Sequence, residues 1–377
     1  MPEVLPRYGS ATLADVLPAL LHAIGAPLDD RPAAFGLPRA GAAVLLLVDG
    51  LGHELLHAHA ADAPVLAGLA DAGPLTVGFP STTPISLTSL GTGLPPGAHG
   101  TLGLRFRVDG ELLDALGWSS GRRDLRERLV PERVQPEPTV LERAAAAGVA
   151  VRSVSPLEFR TSGLTRSGLR GGEYRGVAAL GDLAVEILAG VEGPGPRLVY
   201  GYHADLDKVG HLYGPGSPAW RWQLRQVDAL LAMLLEALPA GTLLAVTGDH
   251  GMVTVDRTVD ADTTPALSDG VALLGGDPRA RHVYTEPGAA SDALAAWQAV
   301  LGDDAAVVSR EEAVARGWFG PVTDRVLDRV GDVVAALHGT AAVVRSEAEP
   351  FLSTLPGQHG SFTTAEQLVP LLVHPAA

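Results

Sequence analysis

The chain contains no cysteine among its 377 residues, which excludes both disulfide bonds and thiolate metal ligands. Any metal ion must therefore be held by His, Asp, Glu or hydroxyl side chains. No apolar run approaches the roughly 20 residues that a helix needs to cross a bilayer. The first residues also lack a basic segment followed by an apolar stretch and a small-residue cleavage site. These absences predict a cytoplasmic protein without a membrane partner.

Positive charge is also scarce. The formal net charge is −15, and the chain has a single lysine, Lys208. Polymeric nucleic acid is bound through cationic neutralisation of its phosphates, so an acidic chain argues against such a partner. The arginines are concentrated, with thirteen of them and ten acidic residues in residues 101–175. Because arginine is well suited to phosphate, a small phosphorylated substrate remains compatible with this distribution.

Short apolar runs alternate with helical patterns along most of the chain. The predicted strands are 42–48, 74–78, 149–154, 197–203, 242–247 and 368–373. The predicted helices are 12–24, 52–60, 63–72, 84–92, 138–147, 177–191, 217–237 and 291–301. This alternation is typical of βαβ units and predicts an α/β protein with a mostly parallel sheet. Several strands are apolar on both faces, which indicates helices on both sides of the sheet.

Two long stretches interrupt the alternation. Residues 101–148 contain Gly, Pro and Arg and are predicted to form an elaborated loop region. Residues 253–356 have helical and strand patterns of their own, and structureless loops of that length are uncommon inside a compact domain. We therefore predict an α/β core formed by residues 1–252 and 357–377. Residues 253–356 are predicted to be an inserted small lobe over the strand ends.

Acidic and imidazole side chains follow three predicted strand ends, where ligands bind in open α/β sheets. Mixed His and Asp ligation without thiolate suits Zn²⁺, with Mn²⁺ as a possible substitute. Two such ions about 3.5–4 Å apart can hold the attacking and leaving oxygens of a displacement at phosphorus. The predicted ligands of the two metals are Asp207, His211 and His359 for one, and Asp49, Asp249 and His250 for the other.

The segment FPSTTPISLTSLGTG offers a nucleophile between these clusters. Threonine is a good N-cap and proline is favoured at the first helical position, so Thr83 is predicted to cap a helix over residues 84–92. A helix N-terminus attracts anions through its free N–H groups and its dipole. A nearby metal can lower the pKa of a hydroxyl enough for attack on a phosphoryl group. Thr83 is therefore the candidate nucleophile.

These motifs together resemble the nucleotide pyrophosphatase/phosphodiesterase family of the alkaline phosphatase superfamily. The matching segments occur in the family's order: Asp49 at a strand end, FPSTTPISLTSLGTGLPPGAHG, DLDKVGHLYGPGS, TGDHG and GQHG. The resemblance implies an alkaline-phosphatase-like three-layer sandwich that holds two zinc ions. It also places the nucleophile at Thr83 rather than Thr82, and it makes Asp207 rather than Asp205 the partner of His211.

One position departs from the family pattern. The family commonly has an asparagine three residues after the nucleophile, where it donates a hydrogen bond to a phosphoryl oxygen, and this chain has Ser86 there. A serine hydroxyl can also donate, although its reach is shorter. We therefore expect Ser86 to stabilise charge on the phosphoryl oxygens, together with amide groups at the helix start.

The expected function is hydrolysis of phosphodiester or nucleotide pyrophosphate bonds through a phosphothreonine. The segment around Thr83 contains no Arg or Lys, and a neutral pocket favours a monoanionic diester over a dianionic monoester. A phosphomonoesterase or a phosphonate hydrolase of the same superfamily is the alternative. In either case we expect the inserted lobe and the Arg-rich stretch to determine substrate specificity.

Two further alternatives belong to other classes. HELLH at residues 53–57 matches the H-E-x-x-H pattern of zinc metallopeptidases. No convincing third ligand follows nearby, so His53 and His57 are expected on the surface of an amphipathic helix. A non-enzymatic binding protein stabilised by metals is the other alternative, and it leaves six predicted ligands without a catalytic role.

Overall fold

The computed structural model describes residues 1–29 and 33–375. Its strands are β1 Ala42–Val48, β2 Ala70–Asp71, β3 Leu75–Thr76, β4 Arg105–Val108, β5 Glu111–Asp114, β6 Ser119–Ser120, β7 Arg123–Asp124, β8 Ala150–Pro156, β9 Glu173–Val177, β10 Arg197–His203, β11 Thr242–Thr247, β12 Val253–Thr254, β13 Arg257–Asp260, β14 Val271–Asp277, β15 Ala280–Thr285, β16 Ala305–Ser309, β17 Val333–Leu337, β18 Ala341–Val344, β19 Gly357–Gln358, β20 Leu368–Val369 and β21 Leu371–His374.

The helices are distributed among these strands, and the described part of the chain has more of them than the sequence predicts. They are α1 Val16–Ala23, α2 His53–Ala58, α3 Pro64–Ala67, α4 Thr83–Thr92, α5 Pro96–His99, α6 Pro131–Val134, α7 Val140–Ala146, α8 Gly163–Gly168, α9 Leu180–Val191, α10 Asp205–Tyr213, α11 Pro218–Ala237, α12 Ala290–Leu301, α13 Arg310–Ala315, α14 Asp324–Leu327 and α15 Thr364–Gln367. In the described ranges, no helix is both long enough and apolar enough to cross a membrane.

A central sheet has the strand order β2-β21-β11-β1-β10-β8-β9. The five strands from β11 to β9 are parallel to one another, whereas β21 runs antiparallel to β11 and β2 runs antiparallel to β21. The predicted α/β class with a mostly parallel central sheet is confirmed. Residues 30–32 and 376–377 of the predicted core lie outside the described residues.

Helices cover both faces of this sheet, because every residue of β1 is buried and successive side chains point to opposite faces. On one face, Leu45 and Leu47 pack in a core with residues of α1, α4 and α7. On the other face, Val44 and Leu46 pack with residues of α9 and α11. The result is a sandwich of three layers in which the sheet has no solvent-facing side at its centre.

Residues 253–356 contain a four-stranded antiparallel sheet in the order β14-β15-β17-β16. One face of that sheet packs on Trp297 of α12. Its other face shares a core with Phe106 and Trp118, which belong to the stretch predicted to be loops. That stretch in fact contains the four-stranded sheet β4-β5-β6-β7, whose strands of two to four residues are too short to show as apolar runs.

Two predicted elements differ from the structure because tertiary pairing overrides local pattern. The helix predicted over residues 63–72 ends at Ala67, and Ala70–Asp71 pairs with β21 at the edge of the central sheet. The strand predicted over residues 368–373 is interrupted at Pro370. Its first half pairs with β3 and its second half pairs with β11. A proline removes the N–H that a continuous ladder needs.

Candidate active site

The parallel register of three neighbouring strands brings the predicted ligands to one edge of the sheet. Val48 of β1 pairs with His203 of β10, and Leu47 pairs with Thr247 of β11. Asp49 therefore follows β1 close to where Asp249 follows β11. Helix α10 begins two residues after β10, and it places Asp207 and His211 one turn apart on the same face.

Gly50 permits a close approach between the β1 turn and α10. Its φ of +75° lies in the left-handed region, and a Cβ there would stand 2.9 Å from both Cα and Cβ of Asp207. Any side chain at this position would push Asp207 away from Asp49. The glycine therefore serves the spacing between the two predicted metal groups rather than contact with a ligand.

The first group consists of Asp207, His211 and His359, whose potential ligand atoms all lie within 4.8 Å of one another. The Nε2 atoms of His211 and His359 are 3.2 Å apart. Asp207 Oδ2 is 3.4 Å from His211 Nε2, and Asp207 Oδ1 is 3.8 Å from His359 Nε2. The structure thus brings together all three residues that the sequence predicts for this group.

Backbone carbonyls orient both imidazoles of this group. His211 Nδ1 lies 2.7 Å from the Gly357 carbonyl oxygen and His359 Nδ1 lies 2.8 Å from the Ser81 carbonyl oxygen. Nδ1–H donates in both cases, which leaves the two Nε2 lone pairs facing each other. Burial, and then His250 and His211, hold the pKa of His359 well below its ordinary value. A cation between the two Nε2 atoms would stabilise this arrangement.

The second group consists of Asp49, Asp249 and His250, and all three are buried. His250 Nε2 is 3.6 Å from Asp49 Oδ1 and 3.4 Å from Asp249 Oδ2. His250 Nδ1–H donates to the Gly251 carbonyl oxygen at 3.0 Å, so Nε2 again faces the carboxylates. This group also matches the sequence prediction residue for residue.

The electrostatics of the two groups fit divalent cations. Burial raises the pKa of Asp49 well above its ordinary value, and the negative charges of Asp249 and Asp207 add to that effect. One oxygen of each carboxylate is buried without a hydrogen-bond partner, namely Asp49 Oδ1, Asp207 Oδ1 and Asp249 Oδ2. Buried carboxylate oxygens without partners are costly unless a metal coordinates them.

His250 and His359 join the two groups into one centre. Their rings stack with centroids 3.5 Å apart and an interplanar angle of 17°. His250 belongs to one group and His359 to the other, so the two groups of predicted ligands adjoin at these rings. Two ions held in adjoining groups would be close enough to act on one phosphoryl group.

The two adjacent threonines point in different directions. Thr83 Oγ1 lies 3.1 Å from His250 Nε2, within the second group. Thr82 Oγ1 instead donates to Asp277 Oδ1 at 3.2 Å. The prediction that Thr83 is the N-cap of the helix is wrong by one residue. Thr82 has the extended backbone of an N-cap, and Thr83 is the first residue of α4, which turns its hydroxyl toward the metal ligands.

The Ser86 hydroxyl is occupied within the protein. It is buried and donates to the Asp249 carbonyl oxygen at 2.5 Å. A hydroxyl has one proton to donate, so donation to a phosphoryl oxygen would require this bond to break. The catalytic role expected for Ser86 stays a prediction, and the observed bond assigns it a second task, which is holding the backbone at Asp249.

A cavity of about 230 Å³ opens beside Thr83. Its walls consist of apolar, aromatic and hydroxyl side chains together with two of the predicted metal ligands. The lining residues are Asp49, Thr83, Leu87, Leu116, Ser155, Phe159, Ser162, Leu164, Thr165, Leu169, Tyr200, Tyr202 and Asp207. The Arg-rich stretch thus contributes walls but no guanidinium to this lining. Lys208 is exposed.

Two residues with contacts in the centre escaped the sequence analysis. Tyr202 donates its hydroxyl hydrogen bond to Asp49 Oδ2, and burial, followed by the charge of Asp49, keeps its pKa well above the ordinary value. Tyr202 precedes the last residue of β10, so its position at a strand end was a readable signal. Asp277, which binds Thr82, lies in residues 253–356, and no pattern in the sequence links the two.

The HELLH segment forms α2, as the sequence predicts for a helix after Asp49. An acidic side chain that the sequence analysis did not consider lies close to both histidines. Strand β2 brings Asp71 beside the two imidazoles, and Asp71 Oδ2 is 4.0 Å from His57 Nε2. Sequence spacing could not show this contact, because it arises from the pairing of β2 with β21.

Comparison with known proteins identifies the family. The model of the type I phosphodiesterase / nucleotide pyrophosphatase family matches residues 43–362. The chain belongs to this family. Its resemblance to nucleotide pyrophosphatases and phosphodiesterases, expected from five motifs, is thereby confirmed. The family match runs from the strand of Asp49 to just beyond His359 and so includes every predicted ligand.

Curated relatives match only parts of this phosphodiesterase-family chain. Human ectonucleotide pyrophosphatase/phosphodiesterase family member 7 is 43% identical over 65 residues, which cover 16% of this chain and 14% of that protein. A phosphopentomutase from Anaeromyxobacter dehalogenans is 31% identical over 159 residues, which cover 41% of this chain and 38% of that protein. The chain therefore aligns with well under two thirds of either relative.

Solved structures share the fold over most of the chain. Murine ectonucleotide pyrophosphatase / phosphodiesterase 5, an inactive Thr-to-Ala variant in complex with AMP, has a TM-score of 0.66 at 19% identity, covering 89% of this chain and 88% of that one. Phosphonoacetate hydrolase from Sinorhizobium meliloti 1021, in complex with phosphonoformate, has a TM-score of 0.66 at 21% identity, covering 90% and 91%. The alkaline-phosphatase-like fold is therefore shared with both.

Proposed function

We propose that the protein is a two-zinc phosphodiesterase or nucleotide pyrophosphatase in which Thr83 is the nucleophile. One observation carries this proposal: the Thr83 hydroxyl lies 3.1 Å from His250 Nε2. Thr83 is in the first turn of α4 and lines the 230 Å³ cavity. The murine relative whose Thr-to-Ala variant is described as inactive adds support, as does the family match.

The donor set determines which ions fit. Asp207, His211 and His359 would hold one ion, and the group of Asp49, Asp249 and His250 would hold the other. Three imidazoles and three carboxylates without a thiolate suit Zn²⁺, with Mn²⁺ as the alternative. When bound, two divalent ions supply positive charge that lowers the pKa of nearby hydroxyl groups and neutralises the reacting phosphoryl oxygens.

The protein's own residues then set up an in-line displacement. The Thr83 hydroxyl releases its proton to solvent as Oγ1 forms a bond to phosphorus. The bond between phosphorus and the leaving oxygen breaks, and the leaving oxygen takes up a proton from solvent. The N-terminal end of α4 faces the negative charge with its N–H groups and dipole. Water then cleaves the phosphothreonine, which releases a phosphomonoester and restores the Thr83 hydroxyl. Tyr202 fixes the orientation of Asp49 throughout.

The walls of the cavity favour a diester over a monoester. A phosphomonoester dianion carries more charge than a diester, and it needs cationic side chains near its oxygens. No Arg or Lys is among the lining residues of the cavity beside Thr83. Leu87, Phe159 and Leu164 instead offer apolar surface to a second ester substituent. We therefore assign this cavity to the second substituent on phosphorus, which a diester or a nucleotide pyrophosphate carries and a simple monoester lacks.

The cavity lining, the exposure of His57 and the position of Thr83 argue against the three alternatives. A phosphonate hydrolase shares the fold, but phosphonoacetate carries a carboxylate beside its phosphonate and so demands more positive charge than this lining offers. A metallopeptidase at HELLH would need a cleft for a peptide, whereas the His57 side chain is 61% exposed. A non-enzymatic binding protein would not need a hydroxyl placed against a predicted metal ligand, as Thr83 is placed against His250.

We also infer that the two predicted domains have different roles in the site. Residues 1–252 and 357–377 supply all six ligands and Thr83, and residues 253–356 contact the site through Asp277. Asp277 accepts hydrogen bonds from Thr82 Oγ1 at 3.2 Å and from the Leu104 N–H at 3.3 Å. The lobe thereby fixes the backbone beside the nucleophile, while residues 116–169 provide much of the substrate wall.

Substrate preference tests the proposed function directly. We expect kcat/KM for bis-(p-nitrophenyl) phosphate or a nucleotide p-nitrophenyl ester to exceed that for p-nitrophenyl phosphate and for phosphonoacetate, all measured on zinc-loaded enzyme. A matched variant, Leu87→Arg, places a cation at the cavity wall and should shift the preference toward the monoester. A wild-type preference for the monoester would move the assignment to a phosphomonoesterase.

A further inference from the structure

A third group of possible metal ligands lies outside the active site. His53 and His57 are one turn apart on α2, and Asp71 lies on β2 at the edge of the central sheet. Their potential ligand atoms all lie within 4.8 Å of one another, and among the described residues the other two such groups are those of the active site. The two imidazole rings are 4.3 Å apart between centroids, at 70°.

The spacing of these atoms is close to that of a coordination shell. Ligands about 2.1 Å from a tetrahedral zinc stand about 3.4 Å apart. The distance between His57 Nε2 and Asp71 Oδ2 is 4.0 Å, and the two side chains are 61% and 34% exposed. Asp71 Oδ1 accepts a hydrogen bond from the Gly73 N–H at 2.8 Å, which leaves Oδ2 toward His57. The exposed His57 side chain can rotate by the small amount that closes the gap.

The chemical state of His53 also suits a metal. Its Nδ1 is buried from solvent and has no hydrogen-bond partner. Burial, together with the neighbouring His57, lowers the pKa of His53, which favours the neutral imidazole that coordinates metals. The carboxylate of Asp71 supplies the compensating negative charge. A helix with histidines four residues apart presents both rings to one ion.

We propose that His53, His57 and Asp71 form a third binding site for a borderline divalent cation of the Zn²⁺ class. Two imidazoles and one carboxylate suit zinc better than magnesium or calcium, which prefer oxygen ligands. The site has three protein ligands, and solvent fills the remaining position. An ion bound there connects α2, which follows Asp49 in the chain, to the edge strand β2.

This site is distinct from the catalytic centre in exposure and in position along the sheet. Its ligands lie on α2 and on the edge strand, three places away from β1 in the strand order β2-β21-β11-β1. The catalytic ligands are largely buried, and each of their imidazoles is fixed by a backbone carbonyl. We therefore expect the third site to bind zinc more weakly and to release it first when a chelator is added.

Counting metal against activity tests the proposal. Zinc-loaded protein is exposed to stepwise additions of a chelator, and bound zinc and turnover are measured at each step. Wild-type protein should hold three zinc ions per chain and lose the first without loss of activity. His53→Gln with His57→Gln should hold two and retain its activity. Asp71→Asn provides an independent variant, and His22→Gln, a helical histidine outside all three groups, is the matched control.

The difference between wild type and variant is the decisive quantity. Equal zinc content in the wild-type, double-variant and Asp71→Asn proteins would overturn the third site. So would loss of activity together with the first zinc ion. The test does not depend on the catalytic metals: if the active site held none, the wild type would bind one ion and the double variant none. Failure of the proposed catalytic function is thereby distinguishable from failure of this site.

Discussion

At the scale of single residues, the two neighbouring threonines provide the sharpest test of the chemistry. Thr83→Ala should lower turnover by about 10³-fold or more, because the covalent step is lost. Thr82→Ala removes the donor to Asp277 and should cost about 1 kcal/mol of folding free energy with little loss of turnover. Rates and denaturant midpoints of both variants give the comparison. A reversal of the two effects would transfer the nucleophile to Thr82.

Ser86 allows a second residue-level prediction, since its hydroxyl has two possible acceptors. We expect Ser86→Ala to lower kcat less than tenfold at saturating zinc, because the proton is already donated to the Asp249 carbonyl oxygen. The zinc concentration for half-maximal activity should rise, because Asp249 loses support. A loss of about 10²–10³ in kcat, typical of a missing oxyanion donor, would instead establish contact with the phosphoryl group.

At the scale of elements, the buried side chain of His99 connects α5 to α4, the helix that begins at Thr83. The Thr101 N–H donates to His99 Nδ1 at 3.1 Å, so His99 Nε2–H donates to Ser89 of α4 at 3.0 Å. Burial, and then the Arg325 and Arg329 charges, lower the pKa of His99 to about 3. Protonation would place a proton on Nδ1, where it faces the N–H of Thr101.

This contact predicts a pH dependence of stability. The folded pKa is below the unfolded value, so the unfolded chain binds more protons between about pH 6.5 and 3, and stability falls as pH decreases through that window. From pH 8 to pH 5 the His99 contribution is about 2 kcal/mol. In the presence of chelator, His99→Gln should show a correspondingly smaller loss between these two pH values. Equal losses in denaturant titrations would contradict the assignment.

The sequence could predict elements where local pattern and tertiary role agree. The strands β1, β10 and β11 are largely apolar segments in the middle of the sheet, and their bounds match the predicted ranges. The pairing of Ala70–Asp71 with β21 could not be predicted, because two residues carry no period. For the same reason the contact of Asp71 with His57 was missed, and with it a possible ligand.

The candidate site was predictable to the extent that its residues occupy strand ends. Asp49 follows an apolar run directly and Asp249 follows one after Gly248. His359, which lies far along the chain, was predicted from its Gly-flanked segment GQHGS and from the resemblance to a family. The direction of the Ser86 hydroxyl and the contact of Asp277 with Thr82 depend on backbone positions set by distant segments. Neither is encoded in a short motif, so only the fold reveals them.

At the scale of the whole molecule, the proposed function makes both the charge of the centre and the activity depend on metal content. The active centre gathers three carboxylates in a chain whose net charge is already −15, so without cations it repels an anionic substrate. We expect chelation to abolish turnover and to lower the unfolding temperature, and added Zn²⁺ to restore both. Elemental analysis should show that activity disappears with the last two zinc ions. Activity indifferent to chelator would refute a metal-dependent mechanism.

The stacking of His250 on His359 has a consequence for the order in which the enzyme becomes competent. These rings are brought together from positions separated by the entire 253–356 lobe. A polypeptide that the ribosome has extended only to residue 350 holds five of the six ligands but cannot place an imidazole against His250. On the proposed mechanism, the catalytic centre is therefore completed in one late step of synthesis, after the lobe has emerged. A truncated or stalled product should accumulate as an inert chain rather than as a partly active hydrolase.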